Sequence, residues 1–289
     1  MRRLVLGTAQ FQGNYGISRP STGPGLERIS KIVDYAYNSG ITIIDTATNY
    51  GDCESLLGMV DVSQWKVITK LPTVPPNTYD ITSWVHESVR ASLTRLRLPT
   101  IHGLLLHNST QLYESFGDDL FAALNDIRED GLTEHIGISI YDPAECEKIF
   151  PGYSFDILQA PLNIFDRRLI ASGWLSRLNE AGVEVHARSV FLQGLLLMDV
   201  SSRPEEFHRW EILWKEWNRW LHAGGVPAVH ACLDFVLSHE GVHAAVVGVD
   251  NQTQLRQILE SYALPAPIPP PSIVCDELEL IDPRRWDTP

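Results

Sequence analysis

The 289-residue chain has little that would send it to a membrane, onto nucleic acid or into a disulfide-bonded fold. No stretch approaches the ~20 consecutive apolar residues that a membrane helix needs. Two arginines precede a short apolar run at the start, but Gly7, Gln10 and Asn14 interrupt it too soon for a signal-peptide core. A buried first strand and a cytoplasmic location are expected instead. Basic residues are scarce, with 23 Lys and Arg against 36 Asp and Glu, and the net charge of -13 excludes general affinity for nucleic acid. An anionic ligand would need a local site of helix N-termini, backbone amides and a few basic side chains. Cys53, Cys146, Cys232 and Cys275 form no C-x-x-C pair and no metal-ligand spacing, so reduced thiols are expected. The P-loop and the G-x-S-x-G elbow are also missing.

What is present is an alternation of short apolar runs with longer amphipathic stretches. Strands are expected over Leu4–Thr8, Ile41–Asp45, Lys66–Lys70, Gly103–His107, His135–Ser139, Asp156–Gln159, Val183–Ala187 and Ala244–Val247. Several are near-continuous in Val, Ile and Leu, as parallel strands covered on both faces require. Helical patterns over Ile29–Asn38, Ile81–Leu96, Leu120–Glu129, Leu169–Ala181, Ala228–Ser238 and Gln254–Tyr262 lie between them. Gly40, Gly131 and Gly182 follow helical runs where a left-handed cap is wanted, and Asp142-Pro143 supplies a helix start.

Eight strand-then-helix units predict a single-domain α/β fold, a (β/α)8 TIM barrel over residues 1–264, followed by a tail over 265–289. An open doubly wound sheet is the alternative. It would usually carry G-x-G-x-x-G after its first strand, where this chain has GTAQFQGNYG.

Two regions fall outside the repeat. The long segment 191–221 places Trp210, Trp214 and Trp217 at i, i+4 and i+7, and packing of this face against the barrel is the favoured reading. The tail contains PAPIPPP, which can be neither helix nor inner strand. It reads as a strap over the surface, within reach of a substrate mouth.

Polar residues at the C-terminal ends of barrel strands are where chemistry is expected. The second strand ends in IIDTATNYG, giving Asp45 and then Tyr50; the third ends in VITK, giving Lys70; the fourth ends in LLLH, giving His107. Each alone has a bland explanation as a cap, a solvated charge or a packed ring. Together they are less easily dismissed, because buried charges without partners cost several kcal/mol and a mutually paired cluster avoids that cost. Asn49 and Glu54 flank the group without an assigned step. The literal H-E-x-x-H at His239–His243 is discounted, because Gly241 falls where a helix should end and the two histidines would not share a face. No metal is expected.

IIDTATNYG, VITK and LLLH together resemble the aldo-keto reductases, and the resemblance runs from Leu4 to about Tyr262. It implies an NADP(H)-dependent oxidoreductase, with NAD(H) as the other candidate, that reduces the carbonyl of a small aldehyde or ketone. In that reading Tyr50 is the proton donor. Lys70 lowers its pKa, Asp45 orients Lys70, and a neutral His107 orients the carbonyl oxygen.

The resemblance also implies cofactor contacts. Gly7 and Thr8 would approach it by backbone, and Ser139 and Gln159 would bind the nicotinamide carboxamide. Arg188 stands where many members have a stacking tyrosine; a planar guanidinium can stack too. Ser189, Phe191, Gln193 and Gly194 would form the pyrophosphate loop. Gly248 and Gln254 stand where the family's lysine and arginine meet the 2′-phosphate, while Asp250 could favour a free ribose hydroxyl.

A Schiff-base lyase using Lys70 and a cofactor-sensing regulatory subunit are the competing readings. A monomer or small homo-oligomer is expected.

Overall fold

Short runs of β-branched and leucine residues can bury both faces only if helices cover one face and other strands the other. The computed structural model, which describes residues 3–13, 16–17, 23–262 and 272–286, meets that demand with a closed parallel barrel in sequence order. Its strands are β1 Leu4–Gly7, β2 Ile43–Asp45, β3 Lys66–Leu71, β4 Ile101–Leu106, β5 Thr133–Ser139, β6 Ile157–Pro161, β7 Glu184–Arg188 and β8 Ala244–Gly248. Pairing of β1 with β8 closes the ring, Val5 lying against Val246. Expected and observed strands agree to within a few residues. β2 starts later than expected because the Ile41 N–H bonds back to Ala36 O at 3.1 Å, closing the preceding helix.

Two cores hold the barrel. Inside it, Ile68, Leu105 and Ile157 pack with Ile43, and room for them comes from Gly103. A Cβ on Gly103 would meet Ile157 Cδ1 at 3.0 Å and Ile68 Cγ1 at 3.2 Å. Outside, a larger apolar layer joins the outer strand faces to the helices, including Ile81–Leu96 and Gly117–Glu129. The helix expected over 169–181 is two helices, Arg168–Ala171 and Trp174–Glu180, because Gly173 takes a left-handed φ of 77° between them. No helix among the described residues is long and apolar enough to cross a membrane.

The tryptophan segment packs as its periodicity implied. Trp214 and Trp217 are buried in the helix Glu211–Gly224, and their rings lie 4.9 and 6.3 Å from that of Phe165. Of the tail, the proline run at 265–271 lies outside the described residues. Beyond it, Ile273, Leu280, Ile281 and Trp286 are buried, and Cys275 N–H bonds to Phe165 O at 3.0 Å. This stretch brings Pro283 and Arg284 to the C-terminal mouth of the barrel.

Candidate active site

Side chains alternate in and out along a strand, so the residue two past an interior position points inward one level higher. Ile43, Ile68, Leu105 and Ile157 form the interior layer, and two residues past each come Asp45, Lys70, His107 and Gln159. Strand period and a common register therefore converge these four groups at the barrel mouth. Tyr50 arrives differently, in the turn after β2, where its N–H bonds to Ala47 O at 3.0 Å.

Asp45 and Lys70 are both buried and form an ion pair, with Lys70 Nζ 2.8 and 2.6 Å from the two carboxylate oxygens. Nζ also donates to Thr46 O at 2.9 Å, so all three ammonium protons are engaged. The Gln159 amide donates to Asp45 Oδ1 at 2.7 Å. Lys70 Nζ lies 5.2 Å from the centre of the Tyr50 ring, and that ring meets His107 edge-on at 5.7 Å.

Burial and the neighbouring charges set the protonation states. The His107 imidazole is pushed down to about 4, first by burial and then by the Lys70 charge, so it is neutral near pH 7. Its Nδ1 is buried and has no hydrogen-bond partner among the described residues. The Tyr50 phenol is raised, by burial first and by the Asp45 carboxylate second. This corrects the expectation that Lys70 lowers it. With its protons directed to Asp45 and Thr46, Lys70 does not offset the cost of placing phenolate charge there.

A cavity of about 400 Å³ opens over the mouth. Gly7, Thr8, Gln159, Arg188, Ser189, Phe191, Gln193, Gly194, Gly248 and Gln254 all line it, with Asp45 and Tyr50. Ser139 lines an adjoining cavity of about 170 Å³ instead, together with Tyr50, His107, Tyr141, Arg188 and Arg284. Tyr50 thus belongs to both spaces. Volume and lining suit a dinucleotide in the larger one. The loop along that cavity is strained: Ser189, Leu192 and Gln193 take φ of 57°, 48° and 51°. Backbone held this way by non-glycine residues clusters at ligand-binding sites. Asn163 steadies the loop by donating to Ser189 O at 3.1 Å.

Among the described residues, no basic side chain lines the far end of the cavity, around Gly248 and Gln254. Gln254 Oε1 accepts from Asp250 N at 2.7 Å, its Nε2 donates to Asp250 Oδ2 at 3.3 Å, and both residues line the space. Arg256 is turned to Glu260, 4.0 Å away, and does not line the cavity. Gln10 covers Gly248, its amide lying about where a Cβ there would stand.

Several placements went beyond the sequence reading. Tyr141 and Arg284 were not anticipated, although Tyr141 lies two residues past Ser139 and so shares its direction. Arg188 stacks on the Tyr141 ring at 4.1 Å and donates to Ile140 O at 2.9 Å. Asn49 is exposed, and Glu54 is occupied by Thr69 and Arg95 at 2.6 and 2.7 Å. At the opposite end of the barrel, the pairing of β4 with β5 brings His102, Glu134 and His135 within 4.8 Å of one another, a grouping that linear spacing did not reveal. The H-E-x-x-H stretch follows the helix Ala228–Leu237 as a turn, and His243 Nδ1 there accepts from Val185 N at 3.0 Å.

Comparison with known proteins gives a consistent picture. The sequence model of the aldo/keto reductase family matches residues 3–269. No curated protein sequence matches significantly. Among solved structures, the holo form of an aldo-keto reductase from Bacillus halodurans is similar at 20% identity and TM-score 0.73, over 92% of this chain and 88% of that one. A glycerol dehydrogenase from Gluconobacter oxydans is similar at 21% identity and TM-score 0.71, with the same 92% and 88% coverage. At these identities the structural likeness speaks for the fold.

Proposed function

The chain belongs to the aldo/keto reductase family, and from that premise we propose that it reduces an aldehyde or ketone to an alcohol with Tyr50 as general acid. The observation that carries this reading is the position of Tyr50, where a dinucleotide-sized cavity meets a small polar one bearing His107. A nicotinamide dinucleotide held in the larger cavity would supply hydride for the carbonyl carbon. Gly7, Thr8 and Gln159 would hold its nicotinamide end, with Ser139 reaching it from the adjoining cavity, and the loop Ser189–Gly194 would hold its pyrophosphate. Gly248 and Gln254 would meet its adenosine end. Because the Gln159 nitrogen is committed to Asp45, its carbonyl oxygen is the group left for a carboxamide N–H.

The raised pKa of Tyr50 is compatible with this role. It keeps the phenol protonated throughout the physiological range, so a proton is in place for the alkoxide that develops beside it. The neutral His107 ring donates one hydrogen bond that would orient the carbonyl oxygen. Engagement of all three Lys70 protons argues against the Schiff-base reading, which needs a free amine. Four buried, unpaired thiols support a reducing, cytoplasmic compartment.

The NADP(H) expectation draws on the family's habit, whereas the cavity favours NAD(H). A carboxylate at Asp250 repels a 2′-phosphate and suits a ribose hydroxyl. The test is a panel of aldehydes, ketones and keto-sugars followed by nicotinamide absorbance with each cofactor. We expect turnover of some members, with kcat/KM for NADH about tenfold above that for NADPH. A preference for NADPH would restore the family habit. A regulatory, cofactor-sensing subunit would bind either cofactor and turn over none.

A further inference from the structure

Building on the reductase reading, we propose that the natural carbonyl substrate carries a carboxylate, held by Arg188 and Arg284 while Tyr50 and His107 take the carbonyl. The smaller cavity is lined by both guanidiniums, one from the end of β7 and one from the tail. Both lie against a single ring, Arg284 at 3.5 Å from the centre of Tyr141 and Arg188 at 4.1 Å from it.

Charge bookkeeping leaves one of these cations over. Arg284 is paired with Asp282, which takes its Nε at 2.9 Å and its Nη2 at 2.6 Å. Arg188 has only neutral partners, Ile140 O at 2.9 Å and Ser189 Oγ at 3.4 Å, and no ion pair among the described residues. No carboxylate among the described residues lines this cavity. A partly buried cation without a counter-charge is costly, and an anionic group on the ligand would offset that cost. Guanidinium is also the group best matched to a carboxylate, because its planar N–H pairs fit two oxygens at once.

Size narrows the class further. About 170 Å³ is well below the space that drug-sized ligands occupy, so the substrate is a short oxo acid rather than a steroid or long-chain aldehyde. Arg188 also borders the larger cavity, where a cofactor anion would compete for it. Arg284 borders only the smaller one and therefore reports on the substrate alone.

The experiment compares two aldehydes of equal chain length, 4-oxobutanoate and butanal, on the cofactor-loaded wild type and on Arg284→Gln. In the wild type kcat/KM should favour 4-oxobutanoate by about ten- to a hundredfold, the range that a hydrogen bond to a charged group gives. Arg284→Gln should collapse that ratio several-fold, while Arg285→Ala, the neighbour bound to Glu279, should keep it. Turnover of both aldehydes with a ratio near one overturns the substrate proposal and leaves the reductase reading intact. If neither is turned over, calorimetric binding of 4-hydroxybutanoate and 1-butanol decides. Selective binding of the carboxylate, lost in Arg284→Gln, sustains the anion site, and the wider carbonyl panel then decides the reductase reading; equal or absent binding overturns the anion site.

Discussion

At the C-terminal end of the barrel Asp45, Tyr50 and His107 border open space above the buried Lys70, whereas at the N-terminal end His102, Glu134 and His135 cluster and Glu184 pairs with His186. His186, wholly buried one pleat below Arg188, meets Glu184 at 2.8 Å, and His102 meets Glu134 at 2.6 Å. Both ends hold perturbed groups. Glu184 is pulled down to about 2 by the His186 hydrogen bond, and His102 is lowered by burial. At the lower end the perturbation is spent on mutual pairing, and none of these residues lines either cavity. A shifted pKa therefore marks a reactive site only where it borders a space that a reactant can enter.

Substitutions at the two ends should separate along that line. The largest effect is expected for Lys70→Met, which leaves the buried Asp45 carboxylate with Gln159 but without its cation. Breaking a buried pair from one side costs about 3–5 kcal/mol, read as a lower denaturant midpoint, and turnover should fall with it. An unchanged midpoint would mean that the pair is not held as tightly as its distances imply.

Glu184→Gln at the opposite end should act on stability and leave turnover within about twofold. Because the Glu184 pKa is depressed in the fold, its stabilisation is complete above about pH 4.5 and is lost as the pH falls toward 2. The gap in Tm between wild type and variant should then narrow across that window. A gap independent of pH, or a large loss of turnover, would break the contrast between the ends.

Much of the upper end was legible in the sequence, because strand period and strand order suffice to converge Asp45, Lys70, His107 and Gln159. The loop Ser189–Gly194 was legible through its family pattern, though not the left-handed backbone that shapes it. Arg284 was not legible. It lies 234 residues after Tyr50 and reaches the site only because the tail packs back across the barrel through contacts such as Cys275 to Phe165. The lower cluster escaped because it depends on the register between neighbouring strands: pairing of Ile101 with Thr133 and of Gly103 with His135 sets His102 beside Glu134 and His135. The gathering of Tyr50 with Asp45, Lys70 and His107 was legible, while the direction of the Lys70 protons, toward Asp45 and Thr46, was not.

The central claim is that Tyr50 gives up a proton across the junction of the two cavities, and Tyr50→Phe tests it most directly. The substitution keeps the ring against His107 and removes only the hydroxyl. Single-turnover reduction of a carbonyl substrate should slow by about 10²- to 10⁴-fold, the usual worth of a positioned general acid, while the Kd of the nicotinamide cofactor stays within about twofold. Reduction at the wild-type rate would contradict the account.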